Sequence, residues 1–402
     1  MRILLFTGKG GVGKTSVAAA SAIAAAARGY RTLVMSTDPA HSLADSFEVG
    51  LGPEPTLIRD RLWGQQIDTQ LRLEQNWREI SSYATELLEW FGLSQIEAEE
   101  LSVIPGLDEI FGLADAKRHH DSGEYDLLVI DCAPTAETLR LLSLPEIMRW
   151  YIERIFPIER RIVKTVRPVL RRMPGLPPIA TDDVFQAVER FYRRIDGIRE
   201  IFIDPDVTSV RLVVNPEKMV IAEARRTLTY LSLFQYRVDS VIVNRLIPDD
   251  VSDSYFERWK SVQAEHLATI EKSFSPIPIL RARLFDREMV GADSLAQLAE
   301  EVYEQRDPAD VFFSEQTIRV TRNGKGHELE LKLPFAERGE IDLIRADEEL
   351  FVRVGAMKRS VILPQMLQRA AVAGAALHDD WLTINFEPAS DPAEEKREVE
   401  HG

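Results

Sequence analysis

A chain of 402 residues exceeds the size at which one hydrophobic core usually stops growing, so two domains are expected. A net charge of −16 argues against a general nucleic-acid or anionic-membrane binder, and 45% apolar with 28% charged residues is an ordinary globular composition. The single cysteine, Cys132, excludes an intrachain disulfide framework and any zinc site built from several thiolates of one chain; no zinc is expected, and the cytoplasm is the expected compartment.

The first element is "RILLF", a short apolar run suited to a strand buried on both faces of a parallel sheet rather than to a signal peptide. It runs into Gly8-Lys9-Gly10-Gly11-Val12-Gly13-Lys14-Thr15, which fits the phosphate-loop pattern G-x-x-x-x-G-K-[ST]. A helix is expected from Ser16 onward, in an alanine-rich stretch full of strong helix formers. Glycines let backbone N–H groups approach phosphate oxygens, and the helix N-terminus adds partial positive charge. On this pattern Lys14 reaches the β- and γ-phosphates of a nucleotide and the Thr15 hydroxyl binds Mg²⁺. Lys9 is a second lysine that the pattern does not require.

A second buried strand is expected at Thr32–Ser36, followed by the acidic turn "TDPAH". Asp38 at a strand's carboxyl end can orient or deprotonate an attacking water, or hold Mg²⁺ through water. From about residue 68 to 124 the spacing turns helical, with Ile80, Tyr83, Ala84, Leu87, Leu88 and Phe91 three and four apart. "LLVI" is a third buried strand that ends in Asp131. From 146 to about 200 a second helical insertion is expected, its apolar face carrying Ile152, Ile155 and Phe156 beside a basic face. Packing against the domain is the commoner fate of such a face, and a partner-binding groove is the alternative. Two more strands end in Asn215 with Glu217 and in Asn244; an amide that both donates and accepts suits an adenine edge.

Beyond a linker at 306–315 the apolar period becomes two: Leu329, Leu331 and Leu333; Leu350, Val352 and Val354; Leu382, Ile384 and Phe386. With Asn323-Gly324 as a hairpin turn, this predicts a small antiparallel sandwich over 316–387. The charged, proline-containing stretch 388–402 is expected to be disordered.

The string GKGGVGKT resembles the deviant phosphate loop of a P-loop NTPase branch that includes arsenite-pump ATPases and the ATPases that target tail-anchored membrane proteins. STDPAHSL is similar to the first switch of those two groups, and DCAPTAETLR to their second, with departures at Cys132, Ala136 and Glu137. The resemblance spans roughly residues 1–305 and implies an α/β fold with a mostly parallel sheet and helical insertions. It implies a homodimer in which Lys9 reaches the partner's nucleotide, a catalytic Asp38, and Asp131 near Mg²⁺. It further implies adenine contacts from Asn244, Glu217 and Pro278, and an apolar groove for transmembrane segments of client proteins. The terminal strands resemble the α-crystallin domain of small heat-shock proteins, an addition found in some members of the family. The expected function is an ATP-hydrolysing, Mg²⁺-dependent switch that targets or chaperones hydrophobic clients. The alternatives are the soluble ATPase subunit of an arsenite efflux pump, a reading that the lack of thiolates weakens, and a holdase chaperone with slow hydrolysis.

Overall fold

The computed structural model describes residues 1–37, 42–67, 69–90, 94, 107–132, 182–324, 326–346 and 348–388. Asp38, expected to be catalytic, the expected second switch from 133 onward and the expected client-surface residues Ile152, Ile155 and Phe156 lie outside them, as does the stretch after 388.

In chain order the N-terminal region runs β1 (Arg2–Thr7), α1 (Lys14–Ala27), β2 (Thr32–Ser36), α2 (Ser42–Phe47), β3 (Thr56–Arg59), β4 (Leu62–Gln66), α3 (Thr69–Trp90), α4 (Leu107–Ser122) and β5 (Leu127–Asp131). It continues with α5 (Asp182–Ile195), α6 (Ile198–Ile203), β6 (Thr208–Val214), α7 (Lys218–Leu233), β7 (Val238–Leu246), α8 (Ser254–Phe274), β8 (Ile279–Arg283) and α9 (Ala292–Tyr303). The eight strands form one sheet in the order β3-β4-β2-β5-β1-β6-β7-β8. Every neighbouring pair is parallel except β3 with β4. Strands β2, β5 and β6 are buried at every residue, because helices cover both faces of a parallel sheet and leave no polar side. Alanines let α1 bury itself on all sides: every residue from Val17 to Ala26 is buried, between the sheet and α9.

Register sets the site. Phe6 and Ser36 both pair with Asp131, so the carboxyl ends of β1, β2 and β5 lie level. The phosphate loop, the start of the first switch and Asp131 therefore meet at one edge of the sheet, where α/β folds place ligands. The first insertion reaches the same edge. Gly112 of α4 lies against Thr37, and a Cβ there would collide with the Thr37 methyl. The face of α3 carrying Ile80, Tyr83, Ala84, Leu87 and Leu88 is half-buried at each of these positions.

The C-terminal region comprises β9 (Ile318–Asn323), β10 (Gly326–Lys332), β11 (Ile341–Ala346), β12 (Glu349–Val354), β13 (Met357–Ile362), α10 (Gln365–Gln368), β14 (Ala370–His378) and β15 (Trp381–Pro388). The strands form two antiparallel sheets, β14-β15-β10-β9 and β11-β12-β13. All nine apolar residues singled out by the period-two pattern are buried, and β9 and β10 pair as a hairpin across Asn323 and Gly326.

The two regions are joined by specific bonds. The Thr229 hydroxyl donates to the Pro334 carbonyl, and Arg359 donates to the Leu233 carbonyl at the end of α7. Arg211 on β6 reaches the segment before the sandwich, donating to the Asp310 carbonyl at 3.1 Å and lying 4.5 Å from the Phe312 ring centre. No helix among the described residues is long and apolar enough to cross a membrane.

Candidate functional site

The loop between β1 and α1 is shaped by its glycines for two different reasons. A Cβ on Gly8 would overlap the Val213 carbonyl oxygen at the end of β6, and one on Gly13 would overlap the Asn244 amide. Gly13 also sits at φ +92°, a left-handed backbone that a side chain would strain. Gly10 and Gly11 have open space instead, so there a phosphate can approach the backbone closely.

Gly13 begins α1 without any side-chain cap, leaving the N–H groups of the first turn to find another acceptor. Such a helix end attracts an anion. The Lys14 ammonium stands over the loop and donates to the Lys9 carbonyl at 3.3 Å. The Thr15 hydroxyl donates to Asp131 Oδ2 at 2.6 Å, and Ser42 Oγ is 3.4 Å from Thr15 Oγ1. Asp131 is buried, and its backbone carbonyl accepts the Thr37 N–H at 3.3 Å. Hydroxyl and carboxylate oxygens are hard donors, the set that Mg²⁺ prefers when it keeps part of its water shell. These residues therefore fit a magnesium ion. Ser16 is half-buried on the first turn of α1.

On the other side of the loop, Asn244 donates from Nδ2 to the Val12 carbonyl at 2.8 Å and accepts the Arg245 N–H at 2.9 Å. Its amide holds the loop. Asn215 differs: its Oδ1 is buried and has no hydrogen-bond partner among the described residues. An orphaned acceptor of this kind costs free energy unless a ligand donor fills it. Glu217 is exposed at the N-cap of α7, its backbone N–H bonded to the Asn215 carbonyl at 2.7 Å.

Pro278 does not join this group. It precedes β8, and its carbonyl accepts from Val241, three residues before Asn244 on the parallel neighbour, roughly 10 Å by strand rise from the site edge. The segment that does emerge at that edge follows β8. Leu284, 44% exposed, donates its N–H to Leu246, and the Gly291 N–H is tied to the Ser46 carbonyl of α2.

Ser42, Gly112 and Leu284 went unmarked in the sequence reading. Ser42 stood inside the switch string STDPAHSL, so a signal existed there. Gly112 and Leu284 have none, because their importance comes from contacts distant in sequence.

Set beside known proteins, residues 1–304 match the family model described as an anion-transporting ATPase, and residues 324–386 match that of the HSP20-like domain found in ArsA. A putative arsenical pump-driving ATPase of Chlorobaculum tepidum is 41% identical, with 96% of each chain covered. Putative arsenical pump-driving ATPase 1 of Aquifex aeolicus is 38% identical over 96% of this chain and 99% of its own. The ATPase GET3C of Arabidopsis thaliana is 30% identical over 72% of this chain and 79% of its own. Its phosphate loop opens the first match and the two family models follow in order, so this chain belongs to the ArsA ATPase family and carries the HSP20-like domain of that family at its C-terminal side.

Proposed function

We propose that the chain hydrolyses ATP with Mg²⁺ as a homodimeric switch, and that the switch binds hydrophobic segments of client proteins, in tail-anchored membrane-protein targeting or chaperoning. The observation that carries the nucleotide part is the orphaned Asn215 Oδ1, two residues past the Val213 carbonyl that lies against Gly8 of the loop, together with the uncapped α1 and Lys14 over the loop. The adenine amino group donates to Asn215, with Asn244 holding the loop and Glu217 and Leu284 bordering the base. Lys14 and the loop N–H groups from Gly8 to Ser16 hold the phosphates. Thr15 and Asp131, with Asp38 through water, hold the metal, which supplies charge neutralisation on the phosphates. Asp38 orients or deprotonates the attacking water, and Lys9 acts on the partner's nucleotide.

Three arguments support the client part: the half-buried apolar face of α3, the apolar pattern around Ile152, Ile155 and Phe156, and the relatedness to GET3C. Burial yields about 25 cal/mol per Å², so covering a few hundred Å² supplies several kcal/mol before ordering costs. The pump-subunit reading draws on the names of the Chlorobaculum and Aquifex relatives. It is disfavoured because the lone thiol, Cys132, is buried and soft metalloid binding needs several thiolates.

The test mixes Lys9→Ala chains with Asp38→Asn chains, each inactive in hydrolysis by this reading. A heterodimer then contains one site with an intact Asp38 and an intact Lys9 from its partner, and part of the activity returns. No return despite proven subunit exchange would remove the trans role of Lys9. For clients, the ATP-bound protein is expected to capture a hydrophobic helix better than the nucleotide-free protein. Serine at Ile152, Ile155 and Phe156 should weaken that capture while ATP binding persists. Capture that ignores both nucleotide and these serines would place the client surface elsewhere.

A further inference from the structure

The Lys9 ammonium, which the proposed reaction needs in another chain's site, is engaged within its own. It lies 3.8 Å from Glu223 Oε2, with both side chains about two-fifths exposed. Glu223 is on α7, little more than one turn past Lys218, where the helix leaves the site edge just beyond Asn215. The rest of that helix is gripped by the sandwich. Arg225, which also donates to Ser273 of the neighbouring α8, lies 5.4 Å from the Phe335 ring centre. Thr229 donates to Pro334, and the carbonyl of Leu233 accepts from the buried Arg359. The carboxylate that meets Lys9 is thus set in place by a helix whose remaining turns are bolted to the C-terminal domain.

We propose that Glu223 is a positioning residue that holds Lys9 in its own chain until the dimer closes, and that the sandwich sets this restraint through α7. The inference rests on the reading that Lys9 acts in trans. An exposed ion pair at this distance is weak, which suits a restraint that has to be released at every turnover. Lys9 cannot satisfy its own Glu223 and a partner's phosphate together, so closure exchanges one anion for the other. Removing the carboxylate leaves less to undo.

In full-length protein, Glu223→Gln keeps the shape of the side chain and removes its charge. At protein concentrations where dimerisation limits hydrolysis, it should raise the rate about two- to fivefold, the range open to an exposed pair, with KM for ATP little changed. In a Lys9→Ala background the same substitution should do nothing. Phe335→Ala, which loosens the grip of the sandwich on α7, should give a smaller gain that also needs Lys9. An unchanged or lowered rate in Glu223→Gln overturns the restraint, as does an equal gain with and without Lys9. If Lys9→Ala alone hydrolyses ATP normally, the trans-lysine reading fails and takes the restraint with it. If Lys9→Ala is impaired while Glu223→Gln is silent, only the restraint fails.

Discussion

Strand β6 carries Arg211 at its middle and leads into Asn215 just past its carboxyl end, two buried polar side chains with opposite fates. Arg211 is fully enclosed, yet each of its three guanidinium nitrogens is hydrogen-bonded. It donates to Asp239 at 3.2 and 3.4 Å, to the Tyr303 hydroxyl at 3.0 Å and to the Asp310 carbonyl at 3.1 Å. The network extends from Tyr303 to Ser21 at 2.6 Å and from Asp239 to Ser240 at 3.1 Å. Burial by itself would lower the Arg211 pKa, but Asp239 and Tyr303 outweigh it and the net shift is upward, so the charge stays. Four residues on, Asn215 keeps an acceptor that no donor among the described residues fills. One strand thus separates polarity that closes a structure from polarity that waits for a ligand. The distinction lies in the bonds completed, not in burial.

The largest expected effect belongs to the ligand end. Asp38→Asn removes a basic, charged oxygen while keeping the shape, so turnover should fall by about a hundredfold or more with ATP still bound. Steady-state rates beside nucleotide titration check this; near-normal turnover would take Asp38 out of the chemistry.

At the structural end, Arg211→Met leaves Asp239 buried without its cation and should cost about 3–5 kcal/mol in chemical denaturation. Adding Asp239→Asn should recover part of that loss. A single substitution that barely moves the midpoint would mean the network is not closed in the way its geometry indicates.

Asn215→Leu sharpens the contrast further. Removing an unpartnered acceptor should leave the nucleotide-free protein as stable as before or more so, while ATP affinity drops about tenfold for one lost hydrogen bond. A destabilised free protein with unchanged affinity would reverse the assignment and make Asn215 a structural residue.

Much of this was legible beforehand because it is written locally. The boundaries Thr32–Ser36 for β2 follow from a short apolar run, and the sandwich core follows from strict alternation in segments such as "WLTINF". The loop was legible because glycine chemistry leaves its own pattern, although Gly8 and Gly13 turn out to be required by Val213 and Asn244 rather than by phosphate alone. Arg211 was passed over inside "SVRLVV", since nothing local distinguishes a buried, paired arginine from an edge residue. The antiparallel β3–β4 pair in "TLIRDRLWGQQ" also escaped, its turn having Asp60 and Arg61 rather than a glycine. Glu223 and Pro278 show the same lesson from opposite sides. Strand direction sets Pro278 back from the site edge, and the face that α7 turns to the loop sets Glu223 beside Lys9; neither is local information.

The smallest expected effect is again at the far edge of the sheet, where β2 and β5 begin. Asp126 accepts the Arg31 backbone N–H at 2.8 Å and its guanidinium at 3.2 and 2.9 Å. These bonds hold its carboxyl down to about 2, from an ordinary value of 3.8. Because the folded value is the lower one, the pair adds stability that is whole above about pH 4 and is lost as pH falls through about 2. The two side chains are 46% and 40% exposed, so solvent screening keeps the contribution small. Denaturant midpoints of the parent and Asp126→Asn proteins should therefore differ slightly at pH 7 and converge on acidification toward pH 2. A gap that persists at pH 2 would assign the effect of Asp126 to packing rather than to its charge.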